Sequence, residues 1–342
     1  MNRFDILFQI IRANVVDQIR RDKYIMTLLA MLVILIAAVP PPMAKHVTVL
    51  FGEYRLLYTS AWIGTLAAVL TSLFLSLPGF FLLRGNIERD KFLCLGEIYA
   101  TARLSKASYL VGKFFSNIIL LFFFVLVAAL TATILQLRYG EEPYIHLWTL
   151  LSPFVLFAMP AIFMISAVSI MFETVKGLQG KVGNFIYCIL WFGMLSLPFS
   201  PSRQGGPLTV NSEKDVLGIG TTLSNVSSSV LVEHPTYSGA IRIGVETKDY
   251  NNLAAPVRWE GIPWTMRELQ RRMALVGGSF LLMLLSGFSF LRFDPAKEYM
   301  RKRQQRRRQE GRLSEEEVNL IFPVVQKYVM PMLSYQQWKR FK

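Results

Sequence analysis

The residues of this chain that could do chemistry are few, and their spacing does not assemble a catalyst. Two Gly-Lys pairs, Gly112-Lys113 and Gly180-Lys181, are the candidates for phosphate binding. A phosphate-cradling loop needs a Ser or Thr hydroxyl after its lysine to hold magnesium, and here Phe114 and Val182 follow instead. The histidines, His46, His146 and His234, lie far apart in sequence and match no metal-ligand spacing. Cys94 and Cys188 fall in regions of such different character that neither a disulfide nor a redox pair is expected. Neither G-x-S-x-G nor H-E-x-x-H occurs. The chain has no nucleotide-hydrolysing loop of its own, and nothing argues for an intramembrane hydrolase.

The elements around these residues are those of a membrane protein. Hydrophobic residues make up 53% of the 342 and charged residues only 18%, where a soluble domain carries about 25% charged. The apolar residues cluster into six runs near the length that crosses a bilayer: roughly 24–43, 56–83, 114–137, 147–172, 184–199 and 273–293. The expected fold is therefore an all-α polytopic membrane protein with six spanning helices in residues 24–293. The centres of these runs hold no Asp, Glu, Lys, Arg or His. An ion-coupled carrier keeps such groups at mid-membrane despite their cost, so energy is expected to arrive from outside the membrane.

The flanking segments add detail. Residues 1–23 lack the continuous apolar core of a cleaved signal peptide, so the first span is expected to persist. Within them Phe4, Leu7, Phe8, Ile11, Val15 and Ile19 recur at helical spacing, mostly opposite Asp5, Gln9, Arg12, Asp17, Arg20 and Arg21. That describes an amphipathic helix lying in the interface. Lys and Arg concentrate at the amino terminus, after the second run, in 173–183 and in the tail, which puts both termini in the cytoplasm and residues 200–272 outside. Short β-prone runs around PTYSG, VLVEH before it and AIRIGVE after it, suggest a hairpin, hence a small β-containing extracytoplasmic segment. Trp259 and Trp264 precede the last run, where amphipathic rings favour the headgroup level. The tail, 294–342, carries Arg301, Lys302, Arg303, Arg306, Arg307 and Arg308. So basic a cluster beside a membrane span points to anionic lipid headgroups and, with no recognisable nucleic-acid fold, away from nucleic acid. Beyond it Ser314 and Glu317 have capping-box spacing, and Pro323 and Pro331 interrupt an apolar stretch too broken for a seventh span.

Between the second and third runs lies a polar, helix-prone segment, 84–113, containing ERDKFLCLGEIYATARLSKASYLVGK. Its Glu97, Leu104, Ser105, Lys106, Tyr109, Leu110, Gly112 and Lys113 resemble the E-x-L-L-A-T-P-L-S-R-x-x-Y-L-L-G-K pattern after the second membrane helix of ABC-2 type transporter permeases. Arg103 stands where that family commonly has proline, and Ala102 where it has threonine. The W-x-G-x-x-W stretch from Trp259 to Trp264 is similar to one before the last span of some of these permeases.

The resemblance implies a coupling helix between spans two and three that docks on a separate ATPase, with Glu88, Arg89, Glu97, Ala102, Arg103, Leu104, Ser105 and Lys106 at the contact. It implies two permease subunits, identical or related, working with two ATPase subunits that hold the ATP and magnesium. It implies export through a path lined by spans two and five, of cargoes that among relatives include lipids, glycans, peptides, drugs and ions. A membrane scaffold or sensor built on the same frame, paired with an ATPase but moving nothing, fits the residues equally; an intramembrane enzyme fits them less well.

Overall fold

The computed structural model describes residues 3–41, 44, 46–92, 106–200, 209–210, 212–246 and 254–289. The chain divides into a main unit, Met1–Arg89 with Leu104–Phe290, and a second unit, Asp90–Arg103 with Leu291–Lys342. The second lies almost wholly outside the described residues.

Apolar sequence becomes helix first. α1 (Arg3–Ile19) and α2 (Asp22–Ala38) are joined by a tight turn at Arg20 and Arg21. After the hairpin β1 (His46–Phe51) and β2 (Tyr54–Leu56), the chain enters α3 (Ser60–Phe74), a π turn at Leu75–Gly79, α4 (Phe80–Leu83) and α5 (Asn86–Phe92). α6 runs unbroken from Lys106 to Tyr139. α7 (Leu147–Pro153) leads through a second π turn, Phe154–Ala158, into α8 (Met159–Thr174). α9 (Gly180–Ser196), the short strands β3 (Phe199–Ser200) and β4 (Thr209–Val210), α10 (Ile219–Glu233), β5 (Ile241–Glu246), β6 (Ala254–Val257) and α11 (Met266–Ser289) complete the described elements. Both π turns sit at prolines, Pro78 inside the first and Pro153 just before the second. A proline ring removes one N–H and crowds the carbonyl four residues back, and a widened turn absorbs both defects.

Among the described residues, four helical stretches are long and apolar enough to cross a membrane: Ser60–Asp90, Lys106–Tyr139, Leu147–Thr174 and Met266–Phe288, of 31, 34, 28 and 23 residues. They match four of the six expected runs. The other two form α2 and α9, of 17 residues each. At about 1.5 Å per residue they rise about 25 Å, short of a hydrocarbon core of about 30 Å.

α6 is the axis of the bundle. Phe114, Leu121, Phe124, Ala128 and Ala132, all fully buried, recur along it at intervals that keep one stripe facing inward. α3 is enclosed on nearly every side because it crosses α7 at Gly64, where no side chain separates the two backbones. α9 is the opposite case: only Gly183 and Tyr187 are buried on it, and Val182, Phe185, Ile189, Leu190 and Phe192 face outward. Tyr187 fixes its position by stacking on Phe80, ring centroids 3.5 Å apart, and by donating from its hydroxyl to the Ser76 carbonyl. Trp191 adds a bond from its indole N–H to the Ser76 hydroxyl at 2.7 Å.

At one end of the bundle sits a four-stranded sheet ordered β5-β1-β2-β6. Gly52 and Glu53 turn β1 into β2, and Gly52 takes φ +66° against the ring of Tyr237, so a side chain there would be both strained and crowded. β5 is the strand expected from AIRIGVE. It pairs not with VLVEH but with β1, in a register from His46 opposite Glu246 to Phe51 opposite Ile241. VLVEH instead closes α10, where Leu223, Val226 and Val230 are buried at helical spacing and Leu231 and Val232 point outward. The run of three apolar residues reads as strand in isolation, but its buried partners lie one and two turns upstream.

Candidate functional site

The end of the bundle opposite the sheet is where the segment 84–113 begins and returns, and it holds a concentration of buried polar side chains. The helix that runs through α3 and α4 stops at Arg84, whose backbone is extended, and Gly85, at φ +88°, turns the chain into α5. No atom crowds Gly85; the left-handed backbone alone calls for glycine. α5 therefore starts with unpaired N–H groups pointing back toward the bundle.

Glu173, on the last turn of α8, meets them. One carboxylate oxygen accepts from the N–H of Gly85 at 2.7 Å and of Asn86 at 3.3 Å; the other accepts from Ile87 at 2.6 Å. The side chain is nearly buried, so these charge-assisted bonds replace water around the carboxylate, and the positive end of α5 adds to them. Leaving such donors and charge unmatched costs about 3–5 kcal/mol.

Arg84 completes the exchange in the other direction. Its guanidinium donates to the carbonyls of Leu178 at 2.8 Å and Gly180 at 2.9 Å, in the loop just after α8, and lies over the rings of Phe80 and Phe172 at 5.4 and 5.8 Å. Gly183 leaves room for it, since a Cβ there would come within 2.7 Å of an Arg84 nitrogen. The Gln179 side chain donates to the Glu173 carbonyl at 2.7 Å, folding the loop back onto its own helix.

α1 clamps the other side. Gln18 donates to the Asn86 side chain, and Asp17 pairs with Arg89 through contacts of 2.7 and 3.1 Å and with Arg21 at 2.5 Å. Asn14 accepts from Lys113 at 2.8 Å; the Lys113 ammonium also lies 5.7 Å from the Tyr109 ring centroid. Gly112 lets α1 approach, because a Cβ there would sit 3.2 Å from Ile10 and 3.6 Å from Leu7. The Gly112-Lys113 pair thus seats α1 against α6. Its face toward the bundle includes Asn14 and Gln18, so α1 is not sorted into one apolar and one polar side: Phe8 and Val16 are exposed beside Arg12.

Of the residues that sequence assigned to a coupling contact, Glu88 is exposed on α5, Arg89 is half-buried and ion-paired with Asp17, and Lys106 is exposed at the start of α6. Glu97, Ala102, Arg103, Leu104 and Ser105 lie outside the described residues, as do Arg301, Lys302, Arg303, Arg306, Arg307, Arg308, Ser314 and Glu317. Trp259 is buried beside Trp62, its indole N–H donating to Asn225 at 2.9 Å. Trp264 is partly exposed, packs edge-on against Phe157 and donates to Ser152 at 3.1 Å.

At the sheet end a second set of polar ties fixes the helix mouths. Glu141 pairs with Arg55 and accepts from the Tyr58 N–H at 2.9 Å, and Glu142 accepts from the Ser60 N–H at 3.2 Å and pairs with Arg258 at 3.0 Å. Arg272, buried on α11, donates to the carbonyls of Asp215 and Val216 and to the Thr221 hydroxyl, 3.6 Å from the Asp215 carboxylate and above the Phe157 ring. No catalytic constellation arises at either end among the described residues; what the polar groups do is hold helices to one another. No protein-family model and no curated protein matches this chain.

Proposed function

We propose that the chain is the membrane-spanning permease subunit of an ATP-binding cassette exporter, driven by a separate ATPase. The observation that carries this reading is the anchoring of residues 84–87, the root of segment 84–113, by buried contacts from Glu173 and Gln18 and by part-buried contacts of Arg84. A loop that merely joined two spans would need no such fastening; a loop that takes a load from outside the membrane does. With Arg89 occupied by Asp17, the exposed Glu88 and Lys106 flank the stretch that meets the ATPase.

In this reading α2 and α9 complete six spans, the α5 end is cytoplasmic and the sheet end outside, following the Lys and Arg distribution. α2 and α9 would reach across with the help of their flanking residues and local bilayer thinning. Two copies, or one copy and a related permease, join two ATPase subunits that supply ATP and magnesium. The basic tail rests on anionic lipid.

The test is Leu104→Glu, which places a charge at the centre of the expected contact. A truncated interface anchor costs about 2 kcal/mol or more, and an unpaired buried carboxylate at least as much. Co-purification of the ATPase with the mutant and its turnover in lipid nanodiscs should both fall. Undiminished association and turnover would remove segment 84–113 from the coupling role and the reading with it.

A further inference from the structure

We propose, resting on the reading of the chain as an ATPase-driven permease, that Glu173 and Arg84 form a two-way clasp that makes the root of segment 84–113 and helix α8 move as one lever. The two contacts run in opposite directions between the turn at residues 84–87 and the stretch of chain from Glu173 to Gly180. Glu173, from the end of α8, holds the N–H groups that open α5, while Arg84, two residues before α5, holds the carbonyls of Leu178, in the loop after α8, and of Gly180, the first residue of α9. Parting the two stretches breaks charge-assisted bonds from both sides at once. The Asp17–Arg89 tie from α1 is softer: their side chains are 48% and 40% exposed, so water and salt screen the attraction.

α8 then carries the displacement inward. Its 16 residues form an uninterrupted helix from Met159 to Thr174, a rod of about 24 Å, and it packs along α11. At its far end is the π turn, where the Phe157 ring lies 4.6 Å beneath the Arg272 guanidinium and against Gly218 at the head of α10. A push on α5 is thereby delivered to the turn in this stretch where the regular helical ladder is interrupted, beside the segment leading into α10. Glu173 is a positioning residue: its carboxylate oxygens are taken up by the N–H groups of Gly85, Asn86 and Ile87.

The experiment uses the full chain with Cys94 and Cys188 replaced by serine and spin labels on the exposed positions Glu88→Cys and Lys176→Cys. In the first arm the permease alone, in nanodiscs, should give one narrow distance, and adding Glu173→Ala should broaden it. Glu173→Gln keeps the volume but turns an amide N–H₂ toward backbone donors; it should broaden the distance as well, and it serves if the alanine variant does not fold. A broad wild-type distribution, or one unchanged in both variants, overturns the clasp. In the second arm the complex with its ATPase is compared without nucleotide and trapped with ATP and vanadate. The wild-type distance should keep its value while Glu173→Gln lets it change. A wild-type change between the trapped and nucleotide-free states overturns the lever while leaving the proposed function standing. Failure of any ATPase to associate with the unlabelled chain overturns the proposed function and the lever's role in it, and the first arm still decides whether the clasp is rigid.

Discussion

Arg55 and Glu141 meet edge to edge, Nη1 to one carboxylate oxygen at 2.9 Å and Nη2 to the other at 2.8 Å, joining strand β2 to the turn after α6. Burial by itself pushes the Glu141 carboxyl up, but the Arg55 hydrogen bonds, the Tyr58 N–H and the Arg55 charge together hold it below its ordinary value. A carboxyl whose folded value is lowered adds stability that is complete above its unfolded value, about 4.3, and is lost as pH falls through the folded one. Glu141→Gln should therefore lower stability by about 1–3 kcal/mol at pH 7, seen as a drop in melting temperature in detergent. The gap to wild type should close as pH falls below about 4. A gap independent of pH would mean that side-chain shape, not charge, matters here.

Gly64 and Leu150 mark the closest crossing in the bundle. A Cβ on Gly64 would lie 2.7 Å from the Leu150 Cα and collide with its carbonyl oxygen. Glycine to alanine inside a helix ordinarily gains about 0.5–1 kcal/mol. At Gly64 the sign should reverse, with a loss of about 1–3 kcal/mol from overpacking against rigid backbone. Gly277 on α11, with nothing within 4 Å of its Cβ position, supplies the matched comparison and should show the ordinary gain. Equal effects at both positions would contradict the crossing.

Trp259 separates two roles by their cost. An indole at a headgroup boundary tolerates phenylalanine well, whereas in the observed site Trp259→Phe strands the Asn225 oxygen that its N–H satisfies. The expected loss is about 1–2 kcal/mol for phenylalanine and about 3–5 kcal/mol for alanine, measured by thermal unfolding. A neutral Trp259→Phe would favour the headgroup role over the buried hydrogen bond.

The long helices are legible in the sequence because an apolar run of spanning length leaves its mark on every residue of the run. The sheet is not, for a different reason in each strand. β5 has a β-prone composition, yet its partner β1 is about two hundred residues away, with Phe51 opposite Ile241, and no local pattern encodes a pairing across that distance. β1 and β2 flank the Gly52-Glu53 turn in a region whose low charge speaks to topology more loudly than its alternation speaks to strand. Glu173 looks like one more charge at the end of an apolar run, since its partners are backbone N–H groups, which carry no residue signature. The Gly112-Lys113 pair serves packing and not phosphate: its glycine makes room for Ile10 and its lysine reaches Asn14, and only the fold puts α1 there.

The sidedness of the bundle can be read with two labels placed on the described surface. Lys176 is exposed beside Glu173 at the α5 end, and Val232 is 84% exposed at the end of α10, close in sequence to the sheet. The Lys and Arg distribution puts the first in the cytoplasm and the second outside. In a background with Cys94 and Cys188 replaced by serine, Val232→Cys should react with a membrane-impermeant maleimide on intact cells. Lys176→Cys should react only after the membrane is opened. Because both positions are surface residues with few contacts, either substitution should leave stability within about 0.5 kcal/mol, so labelling reports access and not unfolding. The reverse pattern would invert the chain in the membrane and put segment 84–113 out of reach of any ATPase. Reaction of both on intact cells would instead mean that the long helices do not separate the two ends across a bilayer, and the proposal of a permease would fail at its first requirement.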